Sequence, residues 1–344
     1  MTKVLITGGT GFLGCHLARL FLKKKWTVTL YDIAPLDAVD LIGKVTVVTK
    51  DIRDKKSLEK ALKGQDYVVH AAAALPIQRT KDIIYSVNID GTKLVLQTAL
   101  AQKVKRLVFI SSTAVYGVPK HLPEKETSPL DPIGYYGESK VAGENLCLEF
   151  EKKGLETNII RPKTFLGPER LGVFSLWFEA IYQGNRIFIL GPGNNAYQLL
   201  SVADVVDAVY KGLTAPVHGE IFNIGAKKFQ TWRKDLEKII KNDKSNSKVT
   251  GLPILPSQIL LRVLEYLKLS PLSQWHYMTM PVASYVSTEK AEKMLRWKAT
   301  LSNQEILETS YKWYKTHRSE IINRKGDTHR VGWNFKLLNW MTRL

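Results

Sequence analysis

The chain has 344 residues, enough for one large domain or two moderate ones, and its 44% hydrophobic and 24% charged residues are ordinary for a soluble globular protein. It contains no run of eighteen or more apolar residues, no apolar leader and only two cysteines, so we expect no membrane-spanning helix, no secretory signal and no disulfide framework. The formal net charge of +18 suits an anionic surface or a phosphorylated ligand as well as a lysine-rich exterior.

Strands and helices are predicted to alternate along the first half of the chain. The predicted strands are KVLIT, TVTLYD, VTVVTKD, DYVVHAAA, RLVFISS and TNIIRP. The predicted helices are FLGCHLARLFLKKK, SLEKALKG, IYSVNIDGTKLVLQTALAQ and the stretch from about Tyr136 to Lys153. Apolar strands that alternate with amphipathic helices indicate an α/β fold, a Rossmann-type doubly wound parallel sheet covered on both faces.

After this alternation the pattern becomes less regular, which predicts a smaller, mostly C-terminal substrate-binding lobe. We therefore expect a dinucleotide-binding domain over 1–165 and a substrate-binding lobe mainly over 166–310, with some segments returning to the Rossmann sheet. Residues 311–344 are predicted to form a basic amphipathic tail, because they hold eight Lys or Arg and only two acidic residues.

A glycine-rich turn, TGGTGFLG, follows the first predicted strand and opens the first helix. Gly8 allows a tight turn, Gly11 lets the backbone approach a pyrophosphate, and Gly14 lets the helix pack on the strand. Asp32 ends the second strand roughly twenty residues later, where a carboxylate accepts ribose hydroxyls and repels a 2′-phosphate. These residues predict a dinucleotide site that prefers NAD to NADP.

The stretch YYGESK places Tyr136 and Lys140 four residues apart, on one face of a predicted helix. An ammonium beside a phenol favours the phenolate and lowers a pKa that is near ~10 in a free tyrosine. Ser112 ends a parallel strand, where its hydroxyl can hold a substrate oxygen. The three side chains together indicate an acid–base site.

In this order, after the glycine loop, these motifs resemble the extended short-chain dehydrogenase/reductase superfamily, in its NAD-dependent epimerase/dehydratase branch, over about residues 1–310. The resemblance implies that Ser112, Tyr136 and Lys140 are catalytic, with Tyr136 as acid or base and hydride exchanged with the nicotinamide. It also implies the following cofactor-binding residues: Gly8, Thr10, Gly11, Phe12, Leu13, Gly14, Asp32, Asp51, Ile52, Ala71, Ala72, Ala73, Asn88, Tyr136, Lys140, Arg161 and Pro162.

Departures from the family pattern narrow the reaction. Thr113 and Ala114 stand where the family's sugar dehydratases carry an acidic pair. The pattern of the nucleotide-sugar decarboxylases has Glu at the position of Ala114. Without a carboxylic acid to expel water, epimerisation or simple carbonyl/alcohol redox remains. We therefore predict an NAD-dependent sugar-nucleotide epimerase or reductase.

The substrate contacts also depart from the family. Tyr197 stands where many epimerases have an arginine for the substrate diphosphate, and Thr164 stands where an asparagine is common. Arg161, Lys163 and Arg170 are candidates to bind a phosphate instead. The predicted substrate-binding residues are Thr113, Thr164, Arg170 and Tyr197, and we expect no metal site.

Two other functions stay open on the sequence. Apolar segments in the second half, LGVFSLWFEAIY and LPILPSQILLRVLEYLKLSPL, favour a 3β-hydroxysteroid- or β-hydroxyacyl-type dehydrogenase of the same superfamily, or are packing helices. The third hypothesis is a protein that binds a dinucleotide without catalysing a reaction. The intact Ser–Tyr–Lys set argues against it, because a sensor does not need a tuned tyrosine.

The last residues form a further amphipathic pattern. Trp333, Leu337, Trp340 and Leu344 share one helical face beside basic residues, which suits either a helix in a membrane interface or packing on the protein or a second subunit. We expect a cytoplasmic homodimer that binds a small-molecule substrate and no nucleic acid. The membrane-contact alternative places that contact at residues 331–344.

Overall fold

The computed structural model describes residues 1–75, 80–267, 272 and 274–323. The strands are β1 (Lys3–Thr7), β2 (Thr27–Asp32), β3 (Thr46–Thr49), β4 (Tyr67–His70), β5 (Arg106–Ile110), β6 (Glu156–Pro162), β7 (Phe165–Leu166), β8 (Ile187–Leu190), β9 (Leu200–Ser201), β10 (Glu220–Ile224) and β11 (Val249–Leu252). The α-helices are α1 (Phe12–Lys23), α2 (Lys55–Leu62), α3 (Lys81–Tyr85), α4 (Thr92–Ala101), α5 (Gly134–Lys152), α6 (Phe174–Gln183), α7 (Val202–Thr214), α8 (Trp232–Asp243), α9 (Ile254–Tyr266), α10 (Gln274–Thr279), α11 (Glu289–Met294) and α12 (Asn303–Asn323).

Seven strands form one parallel sheet in the order β3-β2-β1-β4-β5-β6-β10. The strand order reverses beside β1, as in a doubly wound sheet. Since all seven strands run the same way, their carboxyl ends meet at one edge. Thr7, Asp32, Ser112 and Lys163 lie at or just beyond four of these ends, so the predicted site residues converge there.

Helices cover both faces of the sheet. One face packs against α1 and α7, with Leu17 and Val209 fully buried. The other face packs against α2, α4 and α5, with Leu58 and Phe150 in that core. The predicted doubly wound fold is confirmed, because apolar residues on both sides of each central strand need helices to cover them.

The second lobe has its own core. Helices α6, α8 and α12 bring together Trp177, Trp232 and Tyr311 beside the parallel pair β8–β11. Trp297 lies in the other core, against the helices of the Rossmann sheet, so a late segment does return to the first half.

Helix α12 changes the predicted boundary of the tail. It runs without interruption through residue 310, and Tyr311, Tyr314 and Ile321 are buried in the second core. Residues 311–323 therefore belong to the packed lobe, and the basic tail begins no earlier than residue 324. The predicted membrane contact at 331–344 lies outside the described residues.

Helix α9 contrasts with the other long helices of the described ranges, because it contains no buried residue. Its apolar side chains face outward, and Leu255 is 68% and Tyr266 87% exposed. The predicted apolar segment is thus a helix that leaves its apolar side uncovered by the described residues. No helix in the described part of the chain combines the length and apolar character needed to cross a membrane.

Candidate active site

The glycine loop packs too tightly for side chains. Gly8 has φ +67°, and a Cβ added to it would lie 2.8 Å from the backbone nitrogen of Ala72. A Cβ on Gly14 would lie 2.4 Å from the carbonyl oxygen of Gly9. The loop therefore offers bare backbone at the start of α1, as a pyrophosphate site requires. Phe12 and Leu13 form the first helical turn and are largely buried.

Asp32 is anchored beside this loop. Its carboxylate accepts hydrogen bonds from the backbone nitrogens of Thr10 and Ala34, each at 3.1 Å, and the Thr10 hydroxyl donates to the Ala34 carbonyl. These bonds hold the half-buried carboxylate at the carboxyl end of β2. The sequence prediction placed the ribose-binding group at this position.

Asn88 fixes the segment that follows β4. It lies in a π-helical turn, Ser86–Gly91, and its side chain accepts a hydrogen bond from the Ala74 nitrogen and donates to the Ala74 carbonyl and the Ser139 hydroxyl. Ala71, Ala72 and Ala73 lead into this anchored point, and the Ala72 nitrogen donates to the Thr7 hydroxyl. Asn88 is buried, and its hydrogen bonds fix the position of the Ala71–Ala74 segment, which is predicted to lie under the cofactor.

Asp51 and Ile52 are placed differently from each other. Asp51 is partly exposed and forms a bidentate pair with Arg53 at 2.6 and 2.9 Å, which lowers the pKa of its carboxyl. Ile52 is buried against Gly91, where an added Cβ would clash with its side chain. That Asp51 and Ile52 lie beside the adenine of the cofactor stays a prediction.

Ser112 and Tyr136 meet at the carboxyl end of β5. The Ser112 hydroxyl acts to lower the pKa of the Tyr136 phenol, and it accepts a hydrogen bond from the Ala114 nitrogen at 3.1 Å. Burial raises the pKa of Tyr136 to about 12, while the charge of Arg170 and the Ser112 hydroxyl act to lower it. The two hydroxyls thus interact at the place where proton transfer to a substrate oxygen is predicted.

Lys140 lies deeper than its neighbour. Its Nζ donates to the Ile110 carbonyl at 2.8 Å and stands 5.7 Å from the centroid of the Tyr136 ring. Burial lowers the pKa of Lys140 to about 8, and the Glu144 carboxylate acts in the opposite direction. The effect of Lys140 on the pKa of Tyr136 stays a prediction. The Lys140 amine is held by the end of β5, and the charge of Arg170 acts on the phenol.

Arg170 reaches the phenol from the turn Gly167–Arg170, in which Glu169 has φ +78°. Its guanidinium lies 5.8 Å from the Phe12 ring centroid, and the adjacent Glu169 carboxylate is bound to Arg19 instead. Among the described residues, no carboxylate forms an ion pair with Arg170. The sequence listed this arginine as a substrate contact but gave no sign that it faces Tyr136.

Arg161 is enclosed within the protein. Its guanidinium forms a bidentate pair with Glu144 at 2.6 and 2.8 Å, and both side chains are 2% exposed. It also donates to the Tyr116 hydroxyl at 2.7 Å, and the Ser111 hydroxyl donates to Glu144. The predicted contact between this guanidinium and the cofactor would require breaking that pair. Pro162 follows at the end of β6.

Two of the predicted substrate residues, Thr164 and Tyr197, form a second group beyond β6 together with Lys163 and Ser284. The hydroxyls of Thr164 and Tyr197 lie 2.9 Å apart, and Lys163 Nζ lies 2.7 Å from the Ser284 hydroxyl. Thr113 is buried in a 3-10 turn after Ser112. The sequence analysis missed Ser284, because it is far along the chain in a segment without a recognisable motif.

Comparisons with known proteins show the family of this chain. The family model described as NAD dependent epimerase/dehydratase family matches residues 4–225. The uncharacterised protein y4nG of Sinorhizobium fredii is 32% identical over 95% of this chain and 82% of its own length. UDP-arabinose 4-epimerase 1 of Arabidopsis thaliana is 29% identical over 93% of this chain and 81% of its own.

A comparison with solved structures shows the same fold in another protein. The crystal structure of UDP-glucose 4-epimerase from Thermotoga maritima with UDP-glucose matches with a TM-score of 0.78 at 23% identity, over 92% of this chain and 100% of that one. The likeness covers both the Rossmann sheet and the second lobe. By its motifs, its fold and the matching family model, the chain belongs to the NAD-dependent epimerase/dehydratase family.

Proposed function

We propose that this chain is an NAD-dependent nucleotide-sugar enzyme that oxidises or reduces a sugar carbon, either as one step of an epimerisation or as net redox. The observation that carries the proposal is that Ser112 and Tyr136 lie at the same edge of the sheet as the glycine loop, where the Ser112 hydroxyl acts to lower the pKa of the phenol. Relatives named as nucleotide-sugar epimerases support the substrate class.

NAD fits the residues present. The glycine loop at the start of α1 would hold its pyrophosphate, with Gly8 and Gly14 allowing the close packing of the loop, and Asp32 would hold the ribose hydroxyls. When bound there, NAD supplies a hydride acceptor and donor. Because the Asp32 carboxylate repels a 2′-phosphate, we expect NAD to bind more tightly than NADP. Titrating the protein with both cofactors measures this, and equal affinity for NADP would overturn the assignment.

The chain's own residues handle the proton. Tyr136 removes a proton from a sugar hydroxyl, or returns one to a carbonyl, and the Ser112 hydroxyl holds the same oxygen. Lys140, fixed to the Ile110 carbonyl, would hold the nicotinamide ribose. Thr113 and Ala114 supply no carboxylic acid, so we expect no dehydration of any nucleotide sugar.

The test is a panel of substrates with purified protein and, in separate reactions, NAD and NADH. UDP-, dTDP- and GDP-sugars and 3β-hydroxysteroids are incubated in parallel, and products are identified by mass spectrometry and NMR. We expect a C-epimer or a keto or reduced sugar from at least one nucleotide sugar. Turnover of the steroid alone would establish the dehydrogenase alternative, and a 4-keto-6-deoxy product would overturn the exclusion of dehydration.

We further propose that the protein is a cytoplasmic homodimer with a peripheral membrane contact through 331–344. The sequence of that segment and the exposed apolar side of α9 support the contact. Light scattering measures the dimer. Co-sedimentation with anionic vesicles compares the full chain with a form ending at Arg330. If neither form sediments at low salt, the membrane contact is wrong.

A further inference from the structure

Lys163 is a buried cation that the proposed chemistry does not use. It follows β6 directly, and only 3% of it is exposed. Its Nζ lies 2.7 Å from the Ser284 hydroxyl and 4.7 Å from the centroid of the Tyr197 ring. An ammonium taken out of water loses much solvation free energy, which one hydroxyl and one aromatic ring do not restore.

No carboxylate within the described ranges compensates this ammonium. Burial lowers the pKa of Lys163, and no acidic side chain in the described part of the chain opposes that shift. The nearby acid in the Tyr197 network, Asp235, is bonded to Asn303, which donates in turn to the Tyr197 carbonyl. The site around Lys163 is therefore positive and lacks a counter-charge from the described protein.

The Ser284 hydroxyl contacts the ammonium directly, and the hydroxyls of Tyr197 and Thr164 belong to the same packed group. Ser284 lies on one side, and the Tyr197 hydroxyl, bonded to Thr164 at 2.9 Å, belongs to the ring over which Lys163 lies. The Tyr197 ring is stacked on Trp232, with centroids 4.3 Å apart, so its position is fixed. An ammonium with several hydroxyl donors matches an anion that has several acceptor oxygens.

The position of Lys163 links this group to the catalytic pair. Lys163 follows β6 and Ser112 follows β5, and these are neighbouring strands, paired from Arg106 to Ile110. Ser284 and Tyr197 come from the second lobe. An anion at Lys163 would thus lie at the junction of the two halves, at the same sheet edge as Tyr136.

We propose that Lys163 binds a phosphate oxygen of the substrate's diphosphate, with the hydroxyls of Ser284, Thr164 and Tyr197 around the same group. A phosphate suits the site because lysine binds phosphate as a point charge, and its several oxygens can accept from the neighbouring hydroxyls. The identity of the anion rests on the proposed nucleotide-sugar function.

The site makes binding depend on pH. Burial lowers the pKa of Lys163 to about 7, and among the groups that face it Ser284 does not titrate and the pKa of Tyr197 is raised to about 12. Between pH 7.5 and 9 only the lysine changes charge there. Since a bound anion favours the ammonium, binding takes up a proton, and affinity falls as pH rises above 7.

The test is calorimetric titration of the NAD-loaded protein with UDP between pH 7.5 and 9, in two buffers of different ionisation enthalpy. The terminal phosphate of UDP is already ionised in this range. We expect proton uptake by the wild-type protein and a loss of roughly 10- to 100-fold in affinity for Lys163→Met, with no uptake. Lys163→Arg should keep part of the affinity without proton uptake, because arginine stays charged.

Lys290→Met is the matched control, since this lysine has a carboxylate partner, Glu220, at 2.7 Å. It should bind UDP as the wild type does. The NAD affinity and unfolding temperature of Lys163→Met confirm that it is folded. Equal UDP affinity in wild type and Lys163→Met would overturn the proposal.

Sulfate, a tetrahedral dianion that does not titrate here, separates the two proposals. If wild-type protein binds sulfate but not UDP, and Lys163→Met binds neither, the anion site stands and the nucleotide-sugar function fails. If UDP binds equally to both forms while sugars are turned over, the function stands and the role of Lys163 fails. If the wild type binds neither anion, both proposals fail.

Discussion

Two buried cations stand two residues apart on the chain and have opposite surroundings. Arg161, within β6, is matched by Glu144 through two hydrogen bonds and is also bonded to Tyr116. Lys163, just after β6, has a hydroxyl and an aromatic ring but no carboxylate among the described residues. A buried charge with its own counter-charge serves the fold. A buried charge without a counter-charge destabilises the free protein, and an anionic ligand that binds beside it removes part of that cost.

The largest expected effect is on the rate of catalysis. That effect comes from Tyr136, because neither of the two buried cations moves the proton. Tyr136→Phe should lower turnover by roughly 10²- to 10⁴-fold, because the phenol moves the proton. NAD and UDP affinities should stay within a few-fold. Steady-state kinetics and titrations measure both, and Tyr135→Phe, at the exposed neighbouring tyrosine, is the control. A near-normal rate in Tyr136→Phe would show that another group moves the proton.

The ion pair of Arg161 can be removed by replacing its partner, Glu144. Glu144→Gln should lower the free energy of unfolding by about 3–5 kcal/mol, because it leaves Arg161 charged and buried. Glu149→Gln, in an exposed pair with Lys153, should cost less than about 1 kcal/mol. Denaturant unfolding compares the two variants. Similar small losses would mean that the Glu144–Arg161 pair does not stabilise the fold.

Replacing Lys163, which has no carboxylate partner among the described residues, should raise the free energy of unfolding instead of lowering it. The folded pKa of Lys163, about 7, lies below that of an unfolded lysine, so the unfolded chain binds more protons between these values. Wild-type stability should therefore rise with pH from 7 toward 10. Lys163→Met should lack this rise and be more stable by about 1–3 kcal/mol at pH 7, without ligand. Thermal unfolding across pH measures it, and a less stable variant would reveal an unseen partner.

The smallest expected effect concerns Arg170, whose charge acts on the phenol. Arg170→Gln should raise the pKa of Tyr136 further and shift the pH–rate profile for oxidation to higher pH by about one unit, or tenfold in rate below the plateau. Arg186→Gln, at an exposed arginine, is the control. An unshifted profile would show that Arg170 does not face the phenol during turnover.

Sequence patterns predicted the parts of the molecule that depend on local spacing. The glycine loop, Asp32 and the Tyr136–Lys140 pair follow from short-range geometry, and the structure has these elements at the expected sheet edge. The parallel sheet was predictable because strand and helix periods alternate regularly. These features need no knowledge of which distant residues meet.

The charges around the site depend on distant contacts, and the sequence could not assign them. A lysine after a strand is usually solvated, and Lys163 is buried only because Ser284 and Tyr197 approach from the second lobe. The action of Arg170 on Tyr136 depends on a turn with Glu169 at φ +78°. The pairing of Arg161 with Glu144 joins a strand to a helix face across the core.

The return of late segments to the Rossmann core bears on how the protein is synthesised. Strand β10 completes the sheet beside β6, and Trp297, fully buried, packs in the core with α1 and α7. At about 5–20 residues per second on a ribosome, Trp297 emerges several seconds or more after β6. During that interval the nascent chain has one face of its sheet incompletely covered, so its N-terminal half depends on chaperones or on delayed collapse until the chain is nearly complete. A fragment ending at residue 165 would lack part of its own core and should be recovered as aggregate.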